Sequence, residues 1–324
     1  MIAVLTTGLP NTVQDPGRPG RMGQGVAPGG AMDRFSLAVG NALLGNGTEA
    51  AGIEVAFFPF RLRFDAPATL AVTGADCAPT LDGLPLPPCW AVAARAGQVL
   101  ELRRPLRGAR SYVTLGGGID VPLVLGSRST DGKTGFGGLD GRGLRRGDRL
   151  SLLPGARPLP EGGLGALTPT RLPLPEEDLV LRVLPAAEAE GFDAASVARF
   201  RDESWRVTAD TNRMGMRLEG SALFLSRPVE LLSHGIVPGT VQVPPAGLPM
   251  IQLADANTCG GYPKIATVIE ADLPLLGQAA VGSRLRFVPA GWAEAQAALA
   301  DQVAFLADLE RTAARIRAAA GRPF

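Results

Sequence analysis

Short runs of alternating apolar and polar residues recur along the chain, separated by glycine and proline. GQVLEL (97–102), GDRLSL (147–152) and GSRLRF (282–287) each set a Gly-x turn ahead of such a run. A period of two puts one face of a strand on a core and the other in water, so each run predicts a half-buried strand. IAVLTTG (2–8), IEVAF (53–57), ATLAVTG (68–74), SYVTLGG (111–117), DLVLRVLP (178–185), SWRVTA (204–209), GTVQVP (239–244), MIQLA (250–254) and IATVIEA (265–271) read as further strands. Many short strands with turn residues between them predict barrels or sandwiches.

Helical periodicity is confined to three places. In MDRFSLAVGNALLGN (32–46), Phe35, Val39, Ala42 and Leu43 form a stripe, with Asp33 at the expected start and Gly45 at the stop. AASVARF (194–200) predicts a short helix over a barrel end. From about Trp292 to Ala320, Leu299, Val303, Leu306, Leu309, Ala313 and Ile316 recur at helical spacing. PGARPLPEGGLGALTPTRLPLPEED (154–178) has no period and is rich in Pro, Gly and charge, as linkers are. The predicted organisation is a β domain over 1–160, a linker over 161–177, a second β-barrel domain over 178–290 and a helical tail over 291–324. Each half ends in a Gly-led strand, which points to two related β-barrel domains. The class is mainly β (α+β), with few helices.

Composition supports this picture. A chain of 324 residues holds two domains at about 150 residues each. Its 42 glycines and 28 prolines are spread along the chain, which fits turns between strands rather than a disordered tail. A net charge of +1 argues against a nucleic-acid or anionic-membrane surface. Cys77, Cys89 and Cys259 form no CxxC or Cys/His cluster, so neither a metal site nor a disulfide framework is expected. No run of 18 apolar residues marks a membrane span, and the first twenty residues lack the features of a secretory leader. The expectation is a reduced, soluble, cytoplasmic protein.

Two familiar chemistries fail on arithmetic. SRSTDGKTG (127–135) ends like a phosphate-cradling loop, but the glycine that must stand five before Gly132 is at 126, not 127. A Ser-His-Asp triad would rest on the single histidine, His234, which reads better as a turn residue with no role. Four polar segments remain. TVQDPGRPGRMGQGVAPGGAMDR (12–34) offers Gln14, Asp15, Arg18, Arg21 and Gln24 among glycines ahead of a helix start. The glycine-rich stretch 116–148 offers Arg128, Ser129, Thr130, Asp131 and Lys133 on a loop able to cover a ligand. TADTNRMGMRLEG (208–220) sets Arg213 and Arg217 four apart, as a bidentate anion site or as plain surface charge. The stretch 235–278 carries Gln242, Asp255, Asn257, Tyr262, Lys264 and Asp272. Within it, DANTCGGYPKIATV (255–268) gathers Cys259, Tyr262 and one of the chain's two lysines around Gly260, Gly261 and Pro263. Either a catalytic loop or a tight turn before a strand would look like this.

Taken in order, QDPGRPGRMGQGVAPGGAMDRFSLAVGNALLGN, GGGIDVPLVLGSRST, NRMGMRLEG, PGTVQVPPAGLPMIQLADANTCGGYP and IEADLPLLGQ resemble the hallmark blocks of the biotin-dependent carboxyltransferase-like family. That family is also called allophanate hydrolase subunit 2-like or KipA-like. The resemblance runs from about residue 5 to 290. It implies cyclophilin-like β-barrel domains. Free-standing bacterial members are commonly the C subunit of an ATP-dependent 5-oxoprolinase. With a KipI-like B subunit and a LamB/YcsF-like A subunit, that complex hydrolyses 5-oxo-L-proline to L-glutamate, and the C subunit is inactive on its own. ATP is then used by the complex, with its site open to a partner chain. Two alternatives stay open. One is the carboxyltransferase subunit of a biotin-dependent urea or amide carboxylase, with biotin on a separate carrier because neither lysine here follows a Met. The other is a non-catalytic regulator that binds a KipI-like partner.

For a small anionic amide, the resemblance points to Arg18, Arg128, Arg213 and Arg217 as anion binders, beside Gln14, Gln242, Gly260 and Gly261. Asp255, Lys264 and Tyr262 are the expected catalytic groups. Family members often have Asp at position 212, where this chain has Asn212. Many have Thr where Cys259 stands, and many lack a histidine at 234. These departures argue against essential roles for Cys259 and His234.

Overall fold

The structure, a computed structural model, describes residues 1–8, 10–169, 172, 174 and 177–320. Part of the predicted linker, 161–177, lies outside the described residues. The chain is mainly β, as its pattern predicts. Among the described residues the helices are α1 (Arg34–Leu44), α2 (Ala194–Asp202), α3 (Leu273–Gln278) and α4 (Trp292–Ala320). Two compact units emerge. The first gathers Met1–Arg18, Gly29–Leu172 and the chain from Gln302; the second gathers Pro19–Pro28 and the chain up to Asp301.

In the first unit, seven strands form one sheet in the order Ile119–Asp120, Arg149–Leu152, Ile2–Thr6, Phe60–Phe64, Val99–Leu102, Thr80–Leu81, Leu84–Pro85. Six form another, in the order Leu164–Gly165, Trp90–Ala94, Ala68–Asp76, Arg107–Leu115, Gly52–Val55, Thr12–Gln14. The strand Leu164–Gly165 falls inside the stretch that reads as linker. Alternation decides what each face touches. On Ala68–Asp76, Leu70 and Val72 join a core with Ile2, Phe60, Leu62 and Leu100 from the other sheet, while Ala71 lies against α1.

Helix α1 starts and stops where its sequence says it should. Asp33 accepts the Ser36 N–H at 2.8 Å, and Gly45 ends the helix at φ 69°. Gly40 lets it lie close on the sheet, because a Cβ there would stand 2.6 Å from Thr114 Oγ1. From α4, Phe305, Leu306, Leu309 and Ala313 pack on the outer face of α1, with the Phe305 and Phe35 rings 5.7 Å apart. Arg317 donates to the carbonyls of Ala42 and Leu43, placing a cation at the negative C-terminal end of α1.

The second unit is a closed barrel of Leu179–Pro185, Lys264–Val268, Thr240–Gln242, Met250–Gln252, Gly215–Glu219, Trp205–Val207 and Arg284–Pro289. Parallel pairing of Leu179–Pro185 with Arg284–Pro289 shuts the ring, which removes the unpaired edges an open sheet would expose. Leu181, Trp205, Val241, Ile251, Leu285 and Phe287 are wholly buried. Helix α2 stacks Phe200 on Phe287 at 4.4 Å.

Several strands absent from the sequence reading help complete these sheets, among them Thr12–Gln14, Phe60–Phe64, Trp90–Ala94 and Gly215–Glu219, and α3 joins the helices. Six residues make fewer than two turns, too few for α3 to show a stripe. No described helix is long and apolar enough to cross a membrane. All three cysteines are free; burial pushes the Cys77 thiol up to about 11, and Cys259 is exposed.

Just before α3, Asp272 accepts the Arg182 side chain at 2.7 and 3.1 Å and the Arg182 N–H at 2.8 Å. Asp272→Ala leaves that guanidinium only the more distant Glu294 carboxylate, at 3.8 Å. The expected loss is about 2 kcal/mol in urea unfolding, and Asp272→Asn should lose less.

Candidate functional site

Both units carry buried polar clusters, and two of them hold sequence-derived candidates. In the first, the strand Thr12–Gln14 delivers Asp15, 3% exposed, to the glycine-rich loop. Its carboxylate accepts from Ser127 Oγ at 2.6 Å, from Ser129 Oγ, from Gly17 N at 2.8 Å and from Arg128 N at 2.5 Å. Gln14 Nε2 donates to the Thr130 carbonyl at 3.2 Å. Arg18 is buried, donating to the carbonyls of Val124 and Ser129, with its guanidinium 4.7 Å from the Phe136 ring centre. Gly137, at φ 71°, lets the loop pass here, since a Cβ would stand 2.1 Å from the Ser129 oxygen. The loop is therefore folded onto its own unit, and Gln14 and Arg18 are among the groups that hold it there. Arg128 differs from Arg18: it is half-buried, has no carboxylate partner among the described residues, and its Nε meets no acceptor.

In the second unit, Lys264 opens a barrel strand and is 5% exposed. Its Nζ donates to the Tyr262 carbonyl at 3.1 Å and lies 3.8 Å from Glu188 Oε2. The same carboxylate oxygen accepts the Lys264 N–H at 3.0 Å. His234 Nε2 stands 3.7 Å from Glu188 Oε1. Burial depresses the Lys264 pKa, and the Glu188 charge only partly offsets it.

Barrel register sets Gln242 directly opposite Lys264. Gln242 Oε1 accepts from Gln252 Nε2 at 2.9 Å, while Gln242 Nε2 meets no acceptor. A short ribbon lies beside it, pairing His234–Gly235 with Cys259–Gly260. Gly260 permits this approach, because a Cβ there would stand 2.5 Å from Gln242 Nε2.

The other sequence-derived residues fall differently. Arg213 grips Asp255 in a fork at 2.7 and 3.0 Å, so the expected anion binder and the expected catalytic carboxylate neutralise each other. Arg217 is exposed on the outside of its strand. Tyr262 is 46% exposed and offers the lysine its carbonyl. The structure thus brings together Lys264, Tyr262, Gln242 and Gly260, while Gln14, Arg18 and Arg128 belong to the first unit. Gly261 follows on the ribbon, close to the Leu231 carbonyl.

Two members of the cluster were not found from sequence. Glu188 stands three residues past its strand and meets Lys264 only through barrel pairing. Gln252 did leave a signal, as the one polar residue in the apolar run MIQLA. His234, expected to be idle, faces Glu188.

An amine whose charge is disfavoured by burial, a carboxylate beside it and an amide donor without an acceptor can hold a polar ligand and move a proton. No group of three or more His, Cys, Asp or Glu able to hold a metal occurs among the described residues.

The depressed Lys264 pKa has a definite sign. In the unfolded chain the amine keeps its proton to near 10.5, but the folded protein releases it earlier. Between those points the unfolded state binds more protons, so stability rises with pH. Denaturation midpoints measured from pH 7 upward should show this rise, and Lys264→Met should flatten it. Gly260→Ala should cost about 1–3 kcal/mol by crowding the Gln242 amide, read as a lower melting temperature.

A family model for the carboxyltransferase domain, subdomain A and B, matches residues 24–289. The chain is 40% identical over 311 residues to the 5-oxoprolinase C subunit of Escherichia coli (strain K12), covering 95% of this chain and 97% of that protein. It is 40% identical over 287 residues to the 5-oxoprolinase C subunit of Haemophilus influenzae, covering 89% and 90%. The crystal structure of Kluyveromyces lactis urea carboxylase superposes with a TM-score of 0.87 at 27% identity, over 96% of this chain. The chain spans only 29% of that larger protein.

Proposed function

Because the chain belongs to the family of carboxyltransferase domains, subdomains A and B, we propose that it works as the C subunit of an ATP-dependent 5-oxoprolinase that hydrolyses 5-oxo-L-proline to L-glutamate. The observation that carries this reading is the 40% identity with a named 5-oxoprolinase C subunit across 97% of that protein's length. The partners in this reading are a KipI-like B subunit and a LamB/YcsF-like A subunit. Without them this chain is expected to be inactive.

The chemistry sets clear demands. A lactam resists water because its nitrogen shares its lone pair with the carbonyl. Hydrolysis forms a carbon–oxygen bond from water and breaks the carbon–nitrogen bond. The electron pair goes to nitrogen, which must gain a proton while the water loses one. ATP, bound by the assembled complex, supplies the driving force. In this reading Gln242 Nε2 donates to a substrate oxygen and Lys264 carries the proton to the leaving nitrogen, which an unpartnered amide donor and a buried amine support. Glu188 holds the lysine in place. Tyr262 contributes its carbonyl, and Gly260 and Gly261 keep the ribbon bare of side chains. Asp255 and Arg213 serve as a structural pair. Gln14 and Arg18 hold the loop that presents Arg128 for an anion in the first unit.

The likeness to urea carboxylase favours a second reading, carboxyl transfer from biotin on a separate carrier to an amide nitrogen. It uses the same groups on a similar small amide.

Co-expression with the two partner proteins tests both. The expected outcome is glutamate released from 5-oxo-L-proline only with ATP and all three chains. Lys264→Ala should lower kcat by about 10²-fold with the complex still assembling. A complex that assembles but releases no more glutamate than the partners alone rules the first reading out. Transfer of labelled bicarbonate to urea through a biotin carrier would establish the second.

A further inference from the structure

Gln242 presents an anomaly that the protein does not resolve by itself. The residue is 3% exposed, yet its Nε2 finds no acceptor among the described residues. Buried amide donors are ordinarily paired, because leaving one unmade forfeits the bond it had with water. The other end of the same amide is committed, since Oε1 accepts from Gln252 Nε2 at 2.9 Å. Gln252 is 5% exposed and stands on the adjacent barrel strand. A side-chain amide is a donor at one end and an acceptor at the other, so whichever end a fixed partner takes leaves the opposite chemistry pointing away.

We infer that Gln252 is a positioning residue that turns the Gln242 amide so that its NH2 reads the carbonyl oxygen of a small amide or lactam ligand. This deepens the proposed function and rests on it for the ligand class. A site that offers a buried donor selects strongly for an oxygen acceptor, because a ligand lacking one leaves the donor unpaired. With an acceptor-only residue at 252, the amide would turn over and the site would select for a donor instead. The ribbon of His234–Gly235 and Cys259–Gly260 lies outside the barrel's ring of hydrogen bonds and covers Nε2 at bare Gly260.

The test uses the assembled complex and three probes by calorimetry. 5-Oxo-L-proline carries a ring carbonyl and a carboxylate, 2-pyrrolidinone carries the carbonyl alone, and L-proline has the ring and carboxylate without the carbonyl. Gln252→Met, which neither donates nor accepts strongly, and Gln252→Glu, which accepts only, should each weaken 2-pyrrolidinone and 5-oxo-L-proline by about tenfold or more, with L-proline unmoved. Gln252→Lys, which donates only, should bind as wild type does. Should burying a charge at this position unfold the Lys and Glu variants, the neutral Gln252→Met variant of matching size still decides the matter. In glutamate release, KM should rise far more than kcat falls.

Met and Glu variants that melt as wild type does and bind 2-pyrrolidinone with wild-type affinity overturn the inference. So does a neutron structure with the Gln242 nitrogen turned toward Gln252, which needs no ligand. Glutamate release with an unchanged KM in both variants overturns the inference and leaves the oxoprolinase reading standing. Conversely, a wild-type complex that releases no glutamate but binds 2-pyrrolidinone in a Gln252-dependent way overturns the reading and sustains the inference. A wild-type complex that neither releases glutamate nor binds 2-pyrrolidinone overturns both.

Discussion

Lys264 begins a barrel strand with its amine shut away from water, and the carboxylate of Glu188 is what makes that position tolerable. A charge removed from water costs several kcal/mol unless another group answers it. The same requirement organises the rest of the chain. Asp15 answers it with four donors, Asp255 with the fork of Arg213, Asp272 with Arg182, and Arg317 with two carbonyls at the end of α1. Each tie fixes a loop or a helix to the β framework beside it.

Against this background the unanswered groups stand out. Gln242 Nε2 and Arg128 Nε are buried donors with no acceptor among the described residues, as are the hydroxyls of Thr69, Thr114 and Thr208, and of these Gln242 lies beside Lys264. Lys264 is paired, but with a carboxylate 3.8 Å away that does not restore its ordinary affinity for a proton. The proposed function assigns that donor and that amine to an amide ligand.

Several features were plain from the order of residues alone. Strands such as Val99–Leu102, Arg149–Leu152 and Arg284–Pro289 follow from alternation behind a Gly-led turn. Helix α1 follows from Asp33, an apolar stripe and Gly45, all within about fourteen residues. Strands such as Phe60–Phe64 passed unnoticed although FRLRF alternates cleanly, and α3 was too short to show a period. The family followed from blocks of local sequence and agrees with the match over 24–289.

Partnership was not legible in the same way. Arg213 and Arg217 are neighbours in sequence, but one is locked to Asp255, 42 residues on, while the other faces outward. Arg18 and Arg128 look alike as cations in glycine-rich loops, yet the Arg18 guanidinium donates to two carbonyls while the Arg128 Nε meets no acceptor. Glu188 meets Lys264 across 76 residues, and only the register of Leu179–Pro185 against Lys264–Val268 brings them together. Periodicity, caps and turns depend on residues a few positions apart, so the elements, the mainly β class and the family could be read from residue order. Which charges cancel, and which donor is left without an acceptor, depends on distances between remote segments. Those distances exist only once the barrel has closed, so the site could be recognised only in the folded chain.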